Sequence, residues 1–268
     1  MQRREFLTAA SAAAALALSG PKFAPAADAA GARQFVELRT YRFANADKQQ
    51  AYAQFLADAG VAAMNRAGVR TVGMFKLLKA DNPKLNLPED PAEIWMILPH
   101  DSFEAFLAFE SKLAADDAYQ SAGKSILSAP KADPAFSRYD SHLLLSFEGH
   151  PTLTAPADRS DQSVYELRTY ENPNQERAAS KVSMFNHGEI PMFTKAGMPP
   201  VFFGSAVAGN DLPHLTYMIH HGSEDPKKHW AAFSSNPEWK AMSADPIYKD
   251  NVSKITNRFL HPLPGSQL

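Results

Sequence analysis

The sequence predicts an α+β protein made of two tandem ferredoxin-like repeats, each with the order strand, helix, strand, strand, helix, strand (βαββαβ). The first observation is a repeated motif, because residues 37–41 and 166–170 both read Glu-Leu-Arg-Thr-Tyr. The second is that the same order of predicted elements follows each copy. A third is the stretch over residues 149–162, which contains prolines and shows no periodicity. Together these observations indicate one supersecondary unit present twice.

The first half of the first repeat follows from apolar periodicity. Alternating residues rich in β-formers predict a strand over residues 35–43. Asn45 and Asp47 are candidate N-caps of an amphipathic helix, and Gly68 fits its C-terminal cap. A second strand is predicted over residues 69–79.

The second half of this repeat begins with a loop over residues 81–91, which holds three prolines. A third strand is predicted over residues 94–98. Asp101 and Ser102 then precede a second helix, as N-capping residues do. A fourth strand over residues 143–147 completes the βαββαβ order.

The second repeat has the same elements with one irregularity. Its first strand is predicted over residues 164–170, and a helix over 176–196 is interrupted by Gly188 and Pro191, which predict a kink. The remaining elements are strands over 201–208 and 215–220 and a helix that begins at Pro226 after Ser223 or Asp225. The predicted organisation is a signal over residues 1–29, a first repeat over 34–148, a linker over 149–162 and a second repeat over 163–268.

The first 29 residues are typical of an export signal. Arg3 and Arg4 precede a short alanine-rich apolar run, a pattern that resembles the twin-arginine signal of bacteria. The run is too short for a permanent membrane helix. Residues 27–29 (Ala-Asp-Ala) fit the cleavage site, which gives a mature start near Ala30, and residues 24–26 are the alternative. We therefore expect a periplasmic protein that is not an integral membrane protein after cleavage.

Composition excludes several function classes. Lys and Arg number 27 against 29 Asp and Glu, with no basic block, so nucleic-acid binding is not expected. The chain has no cysteine, which rules out disulfides, thiolate nucleophiles and cysteine-ligated clusters. Histidine spacings typical of metal sites are missing, so no metal site is predicted. The identity of any cofactor and the formation of homo-oligomers stay open.

Three features resemble the NIPSNAP domain: the Glu-Leu-Arg-Thr-Tyr strand, an aromatic third strand (Trp95, Tyr217) and a late helix ending near Asn-Pro-Glu-Trp at 236–239. The resemblance covers residues 34–268 as two tandem domains, and the second carries the fuller pattern. It implies a dimeric α/β-barrel, in which two sheets face each other, completed here within one chain. The activity of this family is poorly defined, so no catalytic residues are carried over. Related barrels include cofactor-independent monooxygenases and haem-dependent enzymes, which is an analogy of fold.

The repeated motif provides the candidate ligand-binding residues. Strand alternation places its Glu, Arg and Tyr on one face, which we expect to look into the barrel. These residues are Glu37, Arg39, Tyr41, Glu166, Arg168 and Tyr170. One interpretation is a polar cavity whose arginine binds an anionic or carbonyl group. The other is an ion pair that holds the two sheets in register.

His220, which we expect near the barrel mouth, is the candidate base or haem ligand, and Tyr217 is the second candidate catalytic residue. His187 is expected on the surface. Two functions fit these residues. The first is binding of a small, partly apolar ligand between the repeats, with oxygenase-like chemistry if the protein is an enzyme. The alternative is a non-catalytic interaction module with a side-chain-filled barrel. An open cavity above roughly 300 Å³ would favour the first.

Overall fold

The computed structural model describes residues 32–268, and the predicted export signal lies outside them. The strands are β1 (Phe35–Arg42), β2 (Gly73–Leu77), β3 (Glu93–His100), β4 (Arg138–Ser146), β5 (Tyr165–Glu171), β6 (Pro200–Ala208), β7 (His214–His220) and β8 (Lys254–Pro262). The α-helices are α1 (Ala46–Phe55), α2 (Val61–Ala67), α3 (Phe103–Ala114), α4 (Asp117–Ala122), α5 (Lys124–Leu127), α6 (Gln175–Met184), α7 (Ile190–Lys195), α8 (Pro226–Ser235) and α9 (Pro237–Ala244). No helix within 32–268 has the length and apolar character that a membrane span requires.

The eight strands form one closed antiparallel barrel in the order β1-β3-β2-β8-β5-β7-β6-β4. Each repeat contributes four consecutive strands of this order. The two joints are equivalent, because the second strand of each repeat pairs with the fourth strand of the other, as β2–β8 and β6–β4. The predicted fold class is therefore confirmed, and closure leaves no free sheet edge.

The helical layer repeats in detail. Asn45 and Asn174 cap α1 and α6 with their side chains. Each helix then passes through a π-helical turn, Leu56–Gly60 or Phe185–Glu189, before continuing as α2 or α7. In the second repeat the chain kinks at Gly188, whose φ of 153° favours glycine. The predicted kink is present, and His187 is exposed as expected.

The predicted orientation of the repeated motif is wrong. Val36 and Leu38 lie in the core inside the barrel, together with Leu167 of the second repeat. Glu37, Arg39 and Tyr41, and likewise Glu166, Arg168 and Tyr170, face the helices instead; Tyr41, for example, packs 5.0 Å from the Tyr52 ring of α1. The physical reason is that the interior of a closed eight-stranded barrel is narrow, and apolar side chains of both repeats fill it except at one end. The charged residues lie outside it, where each glutamate pairs with an arginine on its own strand.

Candidate functional site

A chamber of about 460 Å³ occupies one end of the barrel. Its deeper walls are apolar and include Leu38, Leu77 and Leu167 from strands of both repeats. Thr40 and Thr169, two residues further along β1 and β5, line it nearer the mouth. This volume is larger than the roughly 300 Å³ above which we expect a ligand-binding barrel rather than one filled by its own side chains.

The charged residues at the mouth are mostly paired. Arg42 binds Asp140, and Lys254 Nζ lies 2.7 Å from Glu171 Oε1. Arg258 of β8 differs, because it makes no ion pair with any carboxylate of residues 32–268. Its guanidinium carbon lies 5.0 Å from the centre of the Trp95 ring. Arg258 therefore has no carboxylate of the described chain in contact with it, and Glu93, which also lines the chamber, acts on its charge only from a longer distance.

Two histidines line the same chamber as Arg258. The ring centres of His142 on β4 and His214 on β7 are 5.8 Å apart, and both rings line the chamber. Burial lowers the pKa of His142 below its usual value, and burial together with the neighbouring His142 lowers the pKa of His214. A lowered pKa favours the neutral imidazole, which is the form that accepts a proton.

His220 lies inside the barrel but at the end away from the chamber. Strand β7 runs from His214 at the mouth to His220, a rise of about 20 Å. His220 is fully buried, its ring centre is 4.8 Å from that of Tyr165, and its ring nitrogens make no hydrogen bond within the described chain. The expected position near the mouth is therefore wrong, and His220 does not border the chamber.

Tyr217 lies on the other face of β7, among the aromatic residues under the helices. Its hydroxyl is 2.9 Å from that of Tyr170, and its ring packs on Phe185 and Phe203. Because residues 217 and 220 differ by an odd number along a strand, their side chains point to opposite faces. The two candidate catalytic residues therefore do not form one site.

In the first repeat, the charged motif is closed on all sides. Arg39 Nε donates to Glu37 Oε1 at 2.8 Å, and its Nη2 lies 2.8 Å from Glu110 Oε1 of α3. Ser141 donates to the same Glu37 oxygen at 2.7 Å, and the Tyr139 ring covers the guanidinium at 4.9 Å. Only 6% of the Arg39 side chain is exposed. This arrangement is a buried ion pair with no room for a ligand at the guanidinium.

In the second repeat, the same motif has different neighbours. Glu166 accepts hydrogen bonds from Arg168 at 2.6 Å and from the indole N–H of Trp230 at 2.7 Å. His221 Nε2 lies 3.0 Å from Glu166 Oε2, and Asn257 donates to Oε1 at 3.3 Å. Arg168 is 14% exposed and borders a cleft outside the barrel.

The Glu37 carboxylate predicts a specific acid sensitivity. Burial alone would raise its pKa, but the adjacent His100, the Arg39 charge and the Ser141 hydroxyl outweigh burial and lower the pKa to about 2. Because the pKa of Glu37 is lower in the folded than in the unfolded protein, its ionised carboxylate stabilises the fold at pH values above the unfolded pKa of 4.5. This stabilisation is lost as the pH falls from 4.5 towards the folded pKa of about 2. We expect a loss of about 3 kcal/mol across this window. Urea denaturation at several pH values checks it, since the curve of Glu37→Gln should be flatter by that amount.

The sequence did not reveal the chamber residues His142, His214 and Arg258. His142 pairs with Leu38 and Arg258 with Leu167, so the two occupy equivalent positions on the fourth strands of their repeats. One signal was present, because Lys254, Thr256 and Arg258 alternate as polar residues along the last strand. Recognising it requires the bounds of β8, which were not predicted from the sequence.

Comparison with known proteins supports the fold. Residues 165–267 match the NIPSNAP family model, and among curated proteins none matches the chain. A candidate monooxygenase from Lactobacillus acidophilus NCFM is 12% identical, with 86% of this chain and 94% of that chain covered and a TM-score of 0.55. A second, from Fusobacterium nucleatum, is 10% identical, with 87% and 93% covered and a TM-score of 0.57. Residues 165–267 are therefore similar to the NIPSNAP domain, and the chain shares its fold with these two solved structures.

Proposed function

We propose that this protein binds a small, partly apolar organic anion in the barrel chamber and carries out oxygenase-like chemistry on it. The observation that supports this best is Arg258, a guanidinium without a carboxylate partner in residues 32–268, placed at an open chamber with apolar walls. Burial lowers the pKa of this arginine by more than the Glu93 charge raises it, which reflects the cost of holding the guanidinium charge there. An anionic ligand would offset that cost.

The shape of the chamber suits an amphipathic molecule. Its volume of about 460 Å³ is in the range of small-molecule pockets. Leu38, Leu77 and Leu167 would cover the apolar part of the ligand, while Arg258 binds its anionic group. The alternative function, a non-catalytic interaction module, would have a barrel filled by its own side chains and no such space.

The histidine pair provides the chemistry. Neutral His142 or His214 would remove a proton from a carbon acidified by neighbouring carbonyl groups, and Arg258 would stabilise the resulting enolate. The enolate donates electrons to O₂. For an activated CH₂ group, one atom of the O₂ becomes the oxygen of a new carbonyl group. The other atom leaves as water, which carries the two hydrogens of the CH₂ group. This balance needs no external reductant, and the fold shared with candidate monooxygenases is consistent with it.

The test uses 1-phenylbutane-1,3-dione, which has an apolar ring, an acidic CH₂ group and an anionic enolate. We expect it to bind, as measured by calorimetry, and to consume one O₂ per molecule in an oxygen electrode. Arg258→Gln should weaken binding 10- to 100-fold, the range for a hydrogen bond to a charged group. Arg70→Gln is the matched control, because Arg70 is 84% exposed.

The two parts of the proposal can fail separately. Equal affinities of Arg258→Gln and Arg70→Gln would contradict ligand binding at Arg258. Binding that depends on Arg258 but consumes no O₂ would contradict the oxygenase-like chemistry and leave a binding protein. Loss of O₂ uptake in His142→Gln and His214→Gln at unchanged affinity would assign the proton transfer to the pair.

A further inference from the structure

A cleft of about 700 Å³ lies outside the barrel, between helix α8 and the outer face of the sheet. Glu166 and Arg168 of β5 and Asn257 of β8 line it on the sheet side, and Trp230 lines it on α8. Residues 80–85, in the connection between β2 and β3, form another wall. We propose that this cleft is a second ligand site, which is separate from the chamber although Leu85 borders both, and that it binds a small planar aromatic anion.

The surroundings of the Glu-Leu-Arg-Thr-Tyr motif differ between the two repeats, although the motif itself is identical. The β2–β3 connection spans fifteen residues, 78–92, whereas its counterpart between β6 and β7 spans five, 209–213. The longer connection provides the wall of the cleft beside the second repeat. In the first repeat, Tyr139 and Glu110 cover the equivalent arginine. One copy of the motif is therefore sealed, and the other opens onto a cavity.

The acidic groups of the cleft are already engaged. Glu166 accepts hydrogen bonds from three side chains and contacts His221 as well, which leaves little capacity for a ligand. Asp225 caps α8 by accepting from a backbone N–H, and Asp81 lies 2.9 Å from a nitrogen of His261. A cationic ligand would find no free carboxylate among these three.

The basic groups are less occupied. Arg168 directs N–H groups to Glu166 and to the Tyr170 hydroxyl, which uses three of its five donors. Lys84 and Lys227 line the cleft, and neither forms an ion pair in the part of the chain that the structure describes. The unused charge of the cleft is therefore positive, which selects an anion.

The apolar walls select a flat, aromatic body. Trp230 and Phe259 line the cleft with Val164 and Pro226. The indole of Trp230 is held in place because its N–H donates to Glu166 and its ring covers the Arg168 guanidinium at 4.4 Å. A rigid aromatic wall beside cationic donors favours stacking of a planar ligand.

The tryptophans allow both sites to be observed separately. The sequence contains three, of which Trp95 lines the chamber, Trp230 lines the cleft and Trp239 lines neither. In NMR spectra of the indole N–H signals, titration with 2-naphthoate should shift Trp230 and leave Trp95 unchanged. The neutral analogue 2-naphthalenemethanol should bind at least tenfold more weakly. Arg258→Gln should not alter the Trp230 response, because Arg258 lines the chamber and not the cleft.

Two variants test the cleft without touching the buried ion pair. Val164→Trp should fill the cleft and abolish naphthoate binding measured by calorimetry, while circular dichroism confirms that the variant is folded. Lys227→Gln should weaken binding at least fivefold, and Lys228→Gln, one residue further along and outside the cleft, should not. A shift of Trp95 alone, equal binding of the alcohol, or equal affinities of the two lysine variants would overturn the proposal.

Discussion

Replacing Arg39 by alanine is expected to lower the free energy of unfolding by about 4 kcal/mol, because it leaves a buried carboxylate without its cation. Glu37 is 1% exposed and would retain the Ser141 hydroxyl as its direct donor. His100 Nε2, at 3.5 Å, is at the outer limit of hydrogen-bonding distance. The loss should therefore approach the full cost of breaking a buried ion pair.

Arg168→Ala should cost less, about 3 kcal/mol. Glu166 would still accept from the Trp230 indole and from Asn257, and would keep its contact with His221. Each remaining donor replaces part of the hydration that the buried carboxylate lost.

Urea denaturation at pH 7 measures both variants, and exposed Arg70→Ala is the control, expected within about 0.5 kcal/mol of the parent. Equal losses at both sites, or a larger loss for Arg168→Ala, would show that the second repeat's additional donors do not stabilise Glu166. A loss below about 1 kcal/mol for Arg39→Ala would contradict the buried pair itself.

The fold could be predicted from the sequence because the motif and the capping residues that indicate it are local signals, and the motif occurs twice. Two copies of one motif give the duplication, and the capping residues Asn45, Gly68 and Ser102 fix where helices begin and end. The register of β1 against β3 and of β5 against β7 then places Thr40 opposite Trp95 and Thr169 opposite Thr216. Such pairings follow once the repeats are aligned.

The orientation of the motif could not be obtained in the same way. Alternation divides Glu37 and Leu38 between two faces of a strand, but it does not identify which face is inside a closed barrel. In an open sheet the apolar face packs on helices, and the prediction assumed the same here. In the closed barrel both faces of the sheet are buried, one in the barrel interior and the other under the helices. The charged stripe tolerates burial because its partners lie on the same strand or on the helix above.

The site was missed for a related reason. Arg258, His142 and His214 are far apart in sequence and come together only when two fourth strands and a third strand close the barrel. None of them belongs to the repeated motif. Residues that are identical in both repeats, such as those of the motif, stabilise the duplicated fold. Residues that differ at equivalent positions, such as His142 and Arg258, make the chamber asymmetric.

This asymmetry leads to the prediction with the largest effect on binding. Thr216, which is buried in the chamber wall, occupies the position that Trp95 holds in the first repeat. Thr216→Trp should restore the symmetry by placing a second indole in the cavity. We expect affinity for 1-phenylbutane-1,3-dione to fall more than 100-fold, because the ligand and the new side chain would need the same space.

Calorimetry measures this loss, and Val207→Trp is the matched control, since Val207 is 48% exposed on β6 and outside the chamber. Because the indole would enter existing space rather than a packed core, the thermal midpoint of Thr216→Trp should stay near that of the parent. Full affinity in a folded Thr216→Trp protein would mean that the ligand binds elsewhere. Loss of affinity in Thr216→Trp but not in Val207→Trp would locate the ligand between the two repeats, where side chains of both halves meet it.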